Sequence, residues 1–134
     1  MKKSLSNLLY IIPLLIIISC KSKEHELTEY LQVMKVNNKI EGPKRISNEI
    51  TIDSINVEVY PKPYKFINYV SFNSEIVNSI GLENLLNNYK NYAIKDIKEF
   101  NEYKLFKEND LTLEYNIYVD QKFSSKITIN SNEY

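Results

Sequence analysis

The sequence predicts an α+β domain: an antiparallel sheet of about four strands, formed by two hairpins, its apolar face covered by one long helix, with a short helix ahead of them. Three observations carry this. Residues 82–100 repeat apolar side chains with a helical period, whereas residues 50–72 and 111–129 alternate with the period of two that marks half-buried strands. Pro61-Lys62-Pro63 and Asp120-Gln121-Lys122 interrupt that alternation where hairpins need to turn.

Ahead of the domain, Lys2 and Lys3 precede an apolar run from Leu8 to Ile18 that is broken only by Pro13. This is the charge and hydropathy order of a secretory signal. Those 11 residues, at 1.5 Å each, span roughly 16 Å of a ~30 Å hydrocarbon core, too little for a membrane helix. The run ends in Ile17-Ile18-Ser19-Cys20, which resembles the lipobox of bacterial lipoproteins, with Ile in place of the commoner Leu at its first position. The resemblance implies a signal peptide over 1–19, cleavage between Ser19 and Cys20, and lipidation of the Cys20 thiol. Cys20 as an incidental residue beside an ordinary cleavage site is the competing reading. Cys20 is the sole cysteine and stands where the apolar run stops, which favours lipid. A single cysteine also excludes an intrachain disulfide. Two or three acyl chains, palmitate among them, give stable anchoring. Residues 20–26 are then a lipidated tether, and 27–134 a single domain. Lys21 in place of the Asp that resembles an inner-membrane retention signal implies the outer membrane.

Along the domain, Leu27, Tyr30, Leu31 and Met34 fall on one helical stripe, which predicts a short helix over about 26–37. A strand through Leu31, Val33 and Lys35 is the rival reading. Gly42-Pro43 marks a turn. Ile50 and Ile52, then Ile55, Val57 and Val59, form the apolar face of a first strand, and residues 64–72 return antiparallel to it. Proline stops the pairing between them because it lacks the ladder N–H. Ser79 is expected to cap the long helix, whose stripe is Leu82, Leu85, Leu86, Tyr89, Ala93, Ile97 and Phe100. Leu111, Leu113, Tyr115, Ile117 and Val119 then alternate with polar residues, and Phe123, Ser125, Ile127 and Ile129 are expected to form the apolar face of the return strand.

The segments Asn38-Lys39-Ile40, Pro43-Lys44-Arg45-Ile46, Ile52-Asp53-Ser54-Ile55, Asn68-Tyr69 and Leu113 to Asp120 together resemble a loose group of small exported bacterial proteins. In that group a Cys-Pro turn precedes a strand, a hairpin, a helix and a Tyr-x-Tyr-x-Asp-x-x-Gly hairpin. Here Glu41-Gly42-Pro43 lacks the cysteine, and Lys122-Phe123 stands where the turn glycine would be. The resemblance implies a fold and no activity.

Composition narrows function by exclusion. Without residues 1–19, and hence without Lys2 and Lys3, 15 of the 17 Lys and Arg face 17 Asp and Glu. That balance offers no cationic footprint for nucleic acid. Only Gly42 and Gly81 are glycines, too few for a phosphate-cradling loop. The one histidine, His25, falls in the expected tether, where no fixed geometry would hold a metal. Asp53, Glu58, Glu114 and Asp120 are the acids able to approach one another across a sheet, and each reads better as a solvated charge than as half of a catalytic pair. The expectation is therefore no enzyme, no cofactor and no metal.

Eleven tyrosines are many for this length. Tyr60, Tyr64, Tyr69, Tyr115 and Tyr118 fall in the hairpins and are the candidate interaction face, since amphipathic rings make good contact area. Cross-strand aromatic pairs that shield the sheet are the structural alternative. The functional expectation is a membrane-anchored envelope lipoprotein, held by lipid on Cys20, with a protein-interaction or structural role and an envelope protein as partner. The alternative is a small-ligand-binding lipoprotein with a pocket of a few hundred Å³ between helix and sheet.

Overall fold

A computed structural model describes residues 23–59 and 62–134. Cys20, Ser19 and the signal peptide expected over 1–19 lie outside the described residues, as does Tyr60.

Helix α1 (Lys23–Glu41) opens the fold. It runs longer than the expected short helix at both ends and takes in residues 23–26, expected as tether. The predicted stripe is the buried one: Leu27 and Leu31 are fully enclosed, with Tyr30 and Met34 packed at their margin. Burying each leucine contributes about 1.5–3 kcal/mol. The stripe continues to Asn38, whose Oδ1 accepts from the backbone N of Ile55 at 2.9 Å, so the last turns are tied to the sheet. Gly42, at φ +74°, ends the helix in a conformation that side chains disfavour, and its N–H donates to Asn38 O at 2.9 Å.

The sheet has five strands in the order β1 (Lys44–Arg45), β2 (Ile50–Glu58), β3 (Lys65–Phe72), β4 (Thr112–Val119) and β5 (Lys122–Ile129). Both expected hairpins are present: β2 pairs antiparallel with β3, and β4 with β5. The expected all-antiparallel, four-stranded sheet is corrected on two points. A two-residue edge strand, β1, pairs with β2, and the two hairpins join through β3 and β4, which are parallel, with Asn68 beside Tyr115 and Val70 beside Ile117. Parallel neighbours need a long crossover. Residues 73–111 supply it, carrying α2 (Ser74–Ile80), α3 (Leu82–Glu99), a 3₁₀ turn (Asn101–Tyr103) and α4 (Lys104–Glu108).

The crossover starts differently from its sequence reading. Asn73, not Ser79, provides the side-chain cap, accepting from the N–H groups of Glu75 and Ile76 at the start of α2. Ser79 instead donates to Ile76 O inside that helix. Gly81, at φ +81°, separates α2 from α3. On α3, Leu85, Ala93 and Ile97 are buried as expected, but Phe100 is exposed, because the helix ends at Glu99 and the backbone turns extended there.

Strand parity divides the sheet into two faces. Phe66, Val70, Phe72, Leu113, Tyr115, Ile117, Ile127 and Ile129 join the helices in one core. The other face carries Lys65, Tyr69, Ser71, Glu114 and Tyr118. There Glu114 pairs with Lys65 at 3.3 Å and with Lys126 at 3.6 Å.

Candidate functional site

Between that core face and the helices the packing leaves a cleft of about 420 Å³. It is bounded by Met34 and Asn38 of α1, by Lys44 and Ile46 of the edge segment, by Tyr89, Tyr92, Ala93 and Asp96 of α3, and by Tyr103 and Phe106 beyond it. Its floor is the sheet: Ile52 and Ile55 of β2, Phe66 and Asn68 of β3, Leu113 and Tyr115 of β4. β3 and β4 contribute alternate residues, as the pleat requires, and the irregularity between Ile52 and Ser54 brings Ile55 of β2 to the same side as Ile52. Such a pocket, apolar with a few convergent polar groups, has the usual makeup of a small-molecule site.

The floor is polar at one point. Asn68 sits at core parity between Phe66 and Val70 and retains 5% of its surface, while Tyr115 retains 9%. The β3–β4 register sets them side by side. Neither side chain hydrogen-bonds to another described residue, and no side-chain nitrogen or oxygen among the described residues is both sealed off and unpaired. Their polar atoms therefore open onto the cleft.

Aromatic rings form much of the wall. Tyr89 stands edge-on to Tyr115 and to Phe72, with centroids 5.3 and 5.7 Å apart. Phe106 meets Phe66 and Tyr103, each at 5.5 Å. Burial pushes the Tyr89 phenol up to about 12, with Tyr103 adding to it. The Tyr115 phenol is raised further, again chiefly by burial. The Tyr103 phenol is raised by burial and by the nearby Glu102 and Asp96 carboxylates. These hydroxyls remain protonated donors through the physiological range. The charged groups of the lining, Lys44 and Asp96, belong to the edge segment and to α3, not to the floor.

The tyrosines expected to share one interaction face are distributed over three places. Tyr115 is on the core side, where its own alternation with Leu113 and Ile117 assigns it. Tyr64 is buried at the end of the sheet, its hydroxyl donating to the Glu24 carboxylate, with the Lys62 ammonium 5.1 Å from its ring centroid. Tyr69 and Tyr118 do share the opposite face, where with Asp53, Ser54, Ser71 and Gln121 they outline a shallow groove.

Phe123 joins that outer face, although it was expected on the apolar one. A bulge between Ile117 and Tyr118 leaves Ser124 unpaired and sets Phe123 opposite Tyr118, with ring centroids 5.8 Å apart. One extra residue reverses which face a side chain takes.

The four acids fall at three places. Asp53 accepts from Ser71 Oγ at 2.5 Å, and Asp120 Oδ1 accepts from Ser74 N at 3.3 Å. Glu58 and Glu114 both reach Lys65. His25 is an exposed residue of α1's first turns. Among the described residues no three His, Cys, Asp or Glu side chains gather as a metal would require, and no helix is long and apolar enough to cross a membrane.

Sequence reasoning did not single out Asn68, Tyr89 or Tyr103 as site residues; it placed Tyr89 on the apolar stripe of the long helix. For Asn68 a signal was present: an amide stands at core parity in the run Phe66-Asn68-Val70, where the alternation calls for an apolar side chain.

Fold and cleft together define a class, a small α+β domain with a mixed five-stranded sheet, helices over one face and an open apolar cleft between the layers. Within that class the chain is similar to a crystal structure from Pseudomonas aeruginosa titled a "putative secreted protein", with 14% identity, a TM-score of 0.57, and coverage of 86% of this chain and 98% of that one. At that identity the likeness shows the fold. No family model matches the chain, and no curated protein matches it.

Proposed function

We propose that this chain is an exported, non-enzymatic envelope protein, anchored in the outer membrane by lipid on Cys20, whose cleft between helices and sheet binds a small, largely apolar molecule. The observation that carries the binding reading is the pair Asn68 and Tyr115: two polar side chains, each more than nine-tenths buried, adjacent on the cleft floor, whose polar atoms have no hydrogen-bond partner among the described residues. Covering a polar group without giving it a hydrogen bond costs about 1–3 kcal/mol, so an occupant that seals Asn68 and Tyr115 has to bond to both. A ligand that supplies the bonds offsets that cost, and the surrounding apolar lining supplies affinity. The lipid anchor is supported by Ile17-Ile18-Ser19-Cys20 at the end of a signal-like run.

The test is native mass spectrometry of the full chain extracted from its own envelope in mild detergent. One small-molecule adduct per chain is expected, lost on Ala93→Trp, which fills the cleft, and on the milder Ala93→Leu in proportion to the volume it takes. A folded wild-type protein that carries no adduct, with envelope extract added back, would overturn the binding reading.

The protein-interaction role is the second reading, favoured by a different surface from the tyrosines. On the outer side of α1, Val33, Val36 and Ile40 are 53%, 54% and 77% exposed and lie on one helical stripe. Crosslinking in the native envelope from Val36 and Ile40 tests it: one specific protein adduct, abolished by Val33→Glu, is the outcome it requires.

A further inference from the structure

Resting on the reading of the cleft as a ligand site, we propose that its occupant is an uncharged, mainly aromatic molecule that places one carbonyl oxygen between Asn68 and the Tyr115 hydroxyl. The position of that oxygen follows from register. Asn68 on β3 and Tyr115 on β4 are paired residues at the same level of the sheet and on the same face. Asn68 offers an N–H₂ donor and Tyr115 an O–H donor, and one carbonyl oxygen has two lone pairs with which to accept both.

The absence of charge on the ligand follows from the distribution of charge in the site. The buried end is made of neutral groups, and the lining's Lys44 and Asp96 come from the edge segment and from α3. A carboxylate at the floor would lose its water and receive only neutral donors, with the Asp96 carboxylate in the same lining, and an ammonium would exchange its full hydration for two neutral acceptors, Asn68 Oδ1 and the Tyr115 hydroxyl oxygen. A neutral carbonyl group loses least on entry and matches the polarity it finds. The aromatic character follows from the walls. Tyr89, Tyr103, Phe66 and Phe106 present rings from four elements, and a flat ring among them can make the edge-on and tilted contacts that such rings already make with one another. A volume of about 420 Å³ admits a two-ring compound and is at the small end for ligand sites.

Three matched probes separate these claims: 2-acetylnaphthalene, naphthalene and 2-naphthoate, which share a ring system and differ in the group at one position. Each is titrated into the isotopically labelled full chain in mild detergent, with binding read from backbone shifts of cleft residues and from the Asn68 side-chain amide. The ketone is expected to bind about 10-fold tighter than naphthalene, the effect of one to two net hydrogen bonds, and tighter than 2-naphthoate, and to move the Asn68 amide. Tyr115→Phe keeps the ring and removes the hydroxyl. It is expected to weaken the ketone about 3- to 10-fold and to leave naphthalene unchanged. Asn68→Leu serves as a second variant with the same expected pattern.

If 2-naphthoate binds best, or if the ketone's advantage survives both substitutions, the neutral-carbonyl inference is overturned while the cleft remains a ligand site. If none of the three moves any cleft resonance of the folded wild-type chain, the ligand-site reading fails and takes this inference with it.

Discussion

The ring of Tyr115 meets that of Tyr89 edge-on, with centroids 5.3 Å apart and planes at 81°, so that a strand and the crossover helix are joined by two phenols whose hydroxyls have no bonded partner among the described residues. The ring contact belongs to the core and the hydroxyls belong to the cleft. Substitutions separate the two. Tyr115→Ala is expected to destabilise the fold by about 3–5 kcal/mol, the usual effect of deleting a buried aromatic ring. Tyr115→Phe is expected to change stability by less than about 1 kcal/mol, since it removes no intramolecular hydrogen bond. Urea unfolding of both variants checks this, and equal losses would show that the hydroxyl is structural.

The same burial predicts an alkaline limit to stability. The folded state holds the Tyr89 proton up to about 12, whereas an unfolded tyrosine releases it near 10.0. A raised folded value means that the stabilisation is complete below the unfolded one and is lost as pH climbs through the folded one. The melting temperature is therefore expected to fall as pH passes from 10 toward 12, and Tyr89→Phe should flatten that decline. An unchanged slope in the variant would reject the assignment.

At the acid end the C-terminal turn responds in the opposite sense. Glu133 accepts from Lys90 at 2.6 Å and from Asn130 N at 2.9 Å, and these bonds hold its carboxyl below its ordinary value of 4.5. A lowered folded value gives stabilisation that is present above 4.5 and lost as pH falls through the folded one. Glu133→Gln should melt lower than wild type at neutral pH, with the difference closing below that range. The group is partly exposed, so the difference is expected to be small and reduced by salt.

The bulge at Ser124 makes a prediction that contradicts simple alternation. Phe123 is 61% exposed, and Phe123→Ser is expected to cost no more than about 1 kcal/mol, the worth of one aromatic pair with Tyr118. Ile127→Ala, four residues on and on the core side, is expected to cost about 2–5 kcal/mol. Chemical denaturation of the two variants compares them directly; a larger loss for Phe123→Ser would return that side chain to the core.

For the proposed anchor, Cys20→Ser is expected to release the protein from the membrane fraction or leave it unprocessed. Fractionation with intact-mass measurement reads both, and a variant retained with unchanged mass would remove lipid from the account.

Features that depend on neighbours a few residues apart could be read from the chain alone. The stripe Leu27, Leu31 on α1, the stripe Leu85, Ala93, Ile97 on α3 and the alternation from Leu113 to Ile117 all bury as their periods require, because a helix or strand exposes one face to whatever layer it meets. Both hairpins were legible for the same reason, since a turn places adjacent strands together. Tertiary structure decided the rest. The parallel pairing of β3 with β4 is a contact between strands separated by the whole crossover, and neither strand's alternation distinguishes a parallel from an antiparallel neighbour. The bulge at Ser124, one residue of extra chain, sent Phe123 to the outer face. The cleft exists only where α1, α3 and the sheet fail to close on one another, and Asn68 comes to lie beside Tyr115 only through that parallel register.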